Sequence, residues 1–280
     1  MKKKIVVLIV FVLILTALFF VVHKPKNPNE LTLFGNIEIR QVDLSFQVEG
    51  KIAKMIYEEG DSVKKGDLVA ILDDRDYKAD YKKAIASVNL ASALSKNAQQ
   101  VYNRENPLFS DDTLSKQEGD LVLSRKNETK AGYQASVAQR DFAKNQLAYT
   151  RIYAPDDGII TSRVQEPGAT VEKGQPIYTL SKNKPVWIRA YVSENDLGNI
   201  KYDMKAKVFT DSVNPNTGKK RQYVGRIGYI SPVSEFTPKT VETTNLRTDL
   251  VYRIRVYVDK VDPYLRQGMP TTVKINLKAG

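Results

Sequence analysis

The 280-residue chain is poor in side chains that do chemistry: it has one histidine, His23, and no cysteine. A zinc or copper centre gathers several nitrogen or sulfur ligands at one point. A serine–histidine–aspartate relay needs a histidine in the folded body. His23 directly follows a long apolar run, so neither arrangement is expected. No G-x4-G-K-[ST] loop is present to cradle a nucleotide phosphate. The acidic pairs Asp73–Asp74 and Asp111–Asp112 stand at turns and helix starts, where capping of free backbone N–H groups accounts for them. Without cysteine there is no disulfide and no thiolate metal site. The expectation is a protein with no catalytic residue, no metal and no cofactor, whose work is positional.

Something must still position it. Lys2, Lys3 and Lys4 precede residues 5–22, an uncharged apolar run of 18 residues. As a helix this run spans about 27 Å, close to the hydrocarbon thickness of a bilayer. The leading lysines favour a cytoplasmic N-terminus. His23, Lys24 and Lys26 would meet lipid head groups on the far side. A cleaved signal peptide is the rival reading, disfavoured by the length of the run and the lack of an A-x-A-like site. Residues 1–26 are therefore expected to be a cytoplasmic stub and transmembrane anchor, and 27–46 a linker with short membrane-proximal strands.

Of the formal net charge of +11, residues 1–30 carry +4 and residues 185–280 carry +7. No arginine–lysine stripe alternates with aromatics, so nucleic acid is not an expected partner. A basic surface toward anionic lipid is the better fit. Lys219, Lys220 and Arg221 read as part of a solvated hairpin.

A short motif occurs twice. "GKIAKMIYEEGDSVKKGDLVAIL" covers Gly50–Leu72, and "GIITSRVQEPGATVEKGQPIYTL" covers Gly158–Leu180. The copies align without a gap at an offset of 108 residues, so that Gly50, Gly60 and Gly66 match Gly158, Gly168 and Gly174. Glycines at this spacing punctuate short strands at turns. Neither half can bury its apolar face alone, and the expected solution is one sandwich made of both, residues 47–72 with 150–183.

Between the halves, residues 73–149 read as two helices. In the first, Tyr77, Ala84, Ala91 and Ala98 recur every seven residues, as do Tyr81, Val88, Ser95 and Tyr102. This is the spacing of a coiled-coil seam. A break is expected at "ENPLFSDDT", because Pro107 does not suit a helix interior. Ser115 and Glu118 form a capping-box pattern that starts the second helix. Ala131, Ala135, Ala138, Phe142 and Tyr149 give that helix its apolar stripe. Arms of roughly 30 residues would project about 45 Å. From residue 184 to 280 longer alternating strands with polar turns predict a small antiparallel β-barrel, with Trp187 in its core. The fold class is thus mainly β, a split sandwich and a barrel, with an inserted α-helical hairpin.

The glycine–aspartate pairs Gly60–Asp61 and Gly66–Asp67 resemble the half-motif of biotinyl and lipoyl domains. Asp74, Arg75 and Asp76 occupy the turn where a carrier would place its modified lysine, so the chain does not read as a carrier. The split half-motifs, the inserted hairpin, the apolar N-terminus and "YTRIYAPDDGII" (residues 149–160) together resemble the membrane fusion protein family, periplasmic adaptors of the haemolysin-secretion-D (HlyD) type. Residues 235–256 and "LRQGMP" (265–270) are similar to the family's barrel, especially in adaptors of ABC-type exporters.

Arg104, Leu108 and Ser115 match the family's R-x3-L-x6-S tip pattern, which implies docking on a TolC-type outer-membrane channel. The resemblance further implies a single-pass inner-membrane protein with its bulk in the periplasm of a Gram-negative bacterium. It implies an ABC-type inner-membrane transporter as partner, and a hexamer whose loop Gln165–Glu166 lines a constriction. The alternatives are an adaptor for a proton-coupled transporter and an envelope scaffold without a transport role.

Overall fold

The structure, a computed structural model, describes residues 29–110, 115–215, 217–236 and 250–278. The span expected over 5–22 lies outside these residues. Among the described residues no helix is long and apolar enough to cross a membrane. In chain order the elements are β1 (Glu30–Ser45), β2 (Gly50–Met55), β3 (Ser62–Val63), β4 (Leu68–Leu72), α1 (Arg75–Ser110), α2 (Lys116–Ala148), β5 (Arg151–Tyr153), β6 (Gly158–Arg163), β7 (Thr170–Val171), β8 (Pro176–Ser193), α3 (Glu194–Leu197), β9 (Lys205–Val213), β10 (Lys220–Phe236), β11 (Leu250–Val258) and β12 (Pro270–Asn276). The chain forms two units. One is Gln41–Asn183; the other joins the described residues 29–40 with the described residues from Lys184 onward.

In the first unit the two motif copies pack as one sandwich by exchanging their shortest strands. β2 pairs with β4 of its own copy and with β7 of the other. β6 pairs with β8 of its own copy and with β3 of the other. The exchange is reciprocal at the level of single hydrogen bonds. Gly60 N donates to Ile160 O at 2.8 Å, and its repeat mate Gly168 N donates to Ile52 O at 2.9 Å. Gly66 N donates to Ala154 O at 2.8 Å, and Gly174 N donates to Phe46 O at 2.9 Å. Ile52, Leu72, Ile160 and Leu180 are fully buried between the layers, with Val63 and Val171 beside them. Each half thus supplies both apolar surface and backbone partners that the other lacks.

Four of the six glycines take turn conformations, and Gly60 at φ 96° with Gly168 at φ 95° show why a side chain is disfavoured there. The other two are not turn residues. Gly50 opens β2 and Gly158 opens β6. At Gly158 the need is for space: a Cβ would sit 2.4 Å from Ser181 O on the adjoining strand.

α1 and α2 lie antiparallel, with Tyr77, Ala84 and Ser87 beside Gln139, Ala143 and Gln146, and Leu94 and Val101 beside Leu121 and Arg125. In α1 all eight heptad positions from Tyr77 to Tyr102 are buried or half-buried, joined by Ser92, Gln99 and Val101. In α2 the expected stripe holds only at Tyr149, which is half-buried against the sandwich core. Ala131, Ala135, Ala138 and Phe142 are exposed, and the inward side is Thr129, Tyr133, Val137, Arg140, Ala143 and Leu147. Alanine is a strong helix former whose small side chain is tolerated on an exposed face as well as in a seam, so its spacing misleads where the true seam is mixed in polarity. The expected break at Pro107 is also corrected, because α1 continues through it to Ser110. The proline removes one donor, the partner of the Asn103 carbonyl, at an exposed end where water can serve.

In the second unit the strand order is β1-β12-β9-β10-β11-β8, all antiparallel where registers are resolved, and β1 also pairs with β8. Alternate residues fill one core, among them Leu33, Ile37, Ile188, Val208, Ile227, Ile254 and Val273. Residues 30–45 form one long strand rather than short ones. Trp187 is buried but lies outside this core, since its neighbours Val186 and Ile188 take the inward positions. Its indole N–H instead donates to Glu38 Oε2 at 2.8 Å, and Arg255 stacks 5.3 Å from its ring. Arg221 is not solvated either: its guanidinium lies 3.5 Å from the Tyr264 ring.

Candidate functional site

The candidate site is the hairpin and the contacts that hold it. Among the described residues no cluster of three metal-ligating side chains exists. The hairpin is inserted between Leu72 and Thr150, and its root is bound on several sides. Leu72 N donates to Thr150 O at 2.9 Å, and the buried Thr150 hydroxyl donates to Leu147 O at 2.7 Å. Tyr77 OH donates to Glu49 O at 2.8 Å, and Arg151 pairs with Asp74 at 3.4 Å. Asp73 accepts the Arg75 guanidinium at 2.6 Å, which holds its carboxyl well below the ordinary range, at about 2. The carboxylate therefore stays charged and keeps the first turn of α1 anchored.

At the far end Ser115 caps α2. Its hydroxyl accepts from Glu118 N at 3.3 Å, and Glu118 accepts in return from Ser115 N at 2.9 Å. The Ser115 hydroxyl and N–H together lower the Glu118 pKa. Arg104 is exposed on the last turns of α1 and reaches Glu105 at 3.6 Å, a weak surface contact that leaves the guanidinium available. Leu108 is in the final turn of α1, and its side chain lies outside the described residues. The tip pattern thus falls at the free end of both helices.

The Gln165–Glu166 loop leads into the Gly168 turn. Gln165 is half-buried and Glu166 exposed. Glu166 accepts from Arg163 Nη2 at 2.6 Å, and Arg163 also pairs through Nη1 with Glu58. Arg163 N donates to Glu59 Oε1 at 2.8 Å. Sequence reasoning missed Arg163. A signal existed, since Glu58 and Glu166 are repeat mates, but nothing marked the cation between them.

The residues 40–181 match the family model described as the RND MFP barrel-sandwich hybrid domain. A UPF0194 membrane protein of Enterobacter sp. (strain 638) is 33% identical over 99% of this chain and 98% of its own length. The chain belongs to the membrane fusion protein family of periplasmic adaptors. The UPF0194 membrane protein YbhG of Salmonella arizonae is 34% identical over 92% of both chains. Among solved structures, this adaptor is similar to a MacA–MexA chimera carrying the Pseudomonas aeruginosa MexA α-hairpin, with TM-score 0.63 and 28% identity over 89% of this chain and 81% of that one. It is also similar to MacA of Actinobacillus actinomycetemcomitans, with TM-score 0.60 and 25% identity over 88% and 78%. The membrane fusion protein Spr0693 of Streptococcus pneumoniae R6 shares the fold, at TM-score 0.66 and 16% identity over 88% and 98%. Adaptors of this family are structural and non-enzymatic.

Proposed function

We propose that the adaptor joins an inner-membrane transporter to an outer-membrane channel in an export system. The observation that carries this reading is the insertion of a long helical hairpin into a sandwich that both motif copies must complete. The root is bound by both halves, and the tip presents Arg104 and Ser115 to solvent. Residues 5–22 anchor the chain in the inner membrane, the hairpin acts as an antiparallel coiled coil crossing periplasm, and Arg104, Leu108 and Ser115 dock on a TolC-type channel. Six copies form a funnel, with Gln165 and Glu166 at its constriction. The transporter is of ABC type; the likeness of residues 235–256 and 265–270 to the barrel of ABC-exporter adaptors supports this. A second reading, an adaptor for a proton-coupled transporter, is favoured by the RND description of the matched family model.

Arg104→Asp tests the docking step. The variant is expected to fold, reach the membrane and lose export. Normal export by it would remove the tip from the mechanism.

A further inference from the structure

The outer face of β1, β12, β9 and β10 carries exposed groups that the barrel's own packing does not explain. The registers align Val224, Lys207, Lys274 and Thr32 in one row across the four strands, and Gln222, Phe209, Thr272 and Phe34 in the next. Lys207 and Lys274 are direct cross-strand neighbours, a like-charge pairing that disfavours the sheet. Lys274 is offset by Glu30 at 2.6 Å, while Lys205 and Lys207 have no ion pair among the described residues. Phe34 is 73% exposed and Val224 51%. Lysines around an exposed aromatic and a valine are the composition of a surface that lies at a head-group boundary.

The linker between the apolar run and β1 is short. Val22 ends the apolar run and Glu30 begins β1, so eight residue steps span at most about 29 Å. A tether this short holds the face at millimolar effective concentration near the bilayer, where a weak contact is well populated. We infer that this face rests on an anionic bilayer surface, with Lys205, Lys207 and Lys274 against lipid phosphates and Phe34 and Val224 at the head-group boundary. This rests on the proposed anchor at residues 5–22.

The chain has no cysteine, so Phe34→Cys gives a unique attachment point for an environment-sensitive fluorophore. The labelled full chain is reconstituted in phosphatidylcholine vesicles with and without phosphatidylglycerol, and Val233→Cys, on an exposed site of β10, serves as control. In anionic vesicles the label at 34 is expected to shift to the blue and to be quenched several-fold more by head-group-proximal spin-labelled lipid than the label at 233. Lys205→Glu/Lys207→Glu, both exposed, or raised salt should abolish the difference. Equal solvent exposure at 34 and 233 while the chain floats with the vesicles would overturn the contact and leave the anchor standing. Failure to float would overturn both. Protection at 34 that arises only with a co-reconstituted transporter would assign the face to a protein and contradict the inference.

Discussion

Glu58 and Glu166, which hold the same place in the two motif copies, close on a single guanidinium: Arg163 pairs with both, with Glu166 at 2.6 Å. The position matching Arg163 in the first copy is Met55, so one cation serves two symmetry-related acids. The contact ties the loop after β6 to the loop after β2 and locks the copies together from outside the core. The Arg163 Nε is buried without a partner, a cost that the two ion pairs made by the rest of the guanidinium offset.

Arg163→Met is expected to lower stability by about 2 kcal/mol, because it leaves two carboxylates facing each other and removes charge-assisted hydrogen bonds. Glu58→Gln and Glu166→Gln, whose carboxylates are exposed, should each cost under about 1 kcal/mol. The double variant should deviate from additivity, since the acids share one partner. Calorimetric unfolding of the four variants checks this.

Gly158→Ala should be more damaging than Gly60→Ala. At Gly158 the new Cβ meets a strand carbonyl at 2.4 Å, whereas at Gly60 it meets open space and only the φ of 96° opposes it. The expected costs are about 3 kcal/mol against about 1 kcal/mol. Thermal unfolding of the two variants side by side would show the order.

Ser115 has a structural duty that can be separated from docking. Ser115→Ala should fray the start of α2, at about 1 kcal/mol, while Ser115→Asp retains a capping oxygen and restores helicity. The lowered pKa of Glu118 means its contribution is present above the ordinary glutamate range and fades as pH falls through the depressed value. Amide protection factors at residues 115–119, taken against the intrinsic exchange rate at each pH, should therefore fall in acid in the native chain, and less so in Ser115→Ala. Export lost in Ser115→Asp with the cap intact would separate docking from folding.

Tyr223 in the barrel is pushed up to about 12, by burial first and then by the Asp262 carboxylate it donates to at 3.0 Å. A raised folded value gives stability that is complete below the ordinary tyrosine value of about 10 and is lost as pH rises toward 12. The barrel should accordingly lose stability between about pH 10 and 12. Tyr223→Phe should flatten that slope, as read by denaturant unfolding followed through Trp187 fluorescence.

The duplicated glycine pattern made the sandwich readable, because the spacing of Gly60, Gly66, Gly168 and Gly174 is a backbone requirement written in residue type. The exchange of β3 and β7 between copies was not readable, since two-residue strands carry no periodicity. The α1 seam was legible because tyrosine and valine mark it among small residues. The α2 seam was not, because Thr129, Tyr133 and Arg140 share it with alanines that fit either face. Trp187 misled for a related reason: aromatic character predicts burial, but not the side of a strand on which burial occurs. Arg163 left no local mark, as its partners lie across the repeat.

The most direct test of the bridging role is photocrosslinking in intact cells from a probe at position 104, with a second probe at the exposed barrel position Tyr202. The account predicts that the tip probe traps an outer-membrane channel and the barrel probe an inner-membrane transporter, both in cells where export is active. A tip that captures only lipid or unrelated envelope proteins, while the chain is folded and export continues, would contradict it.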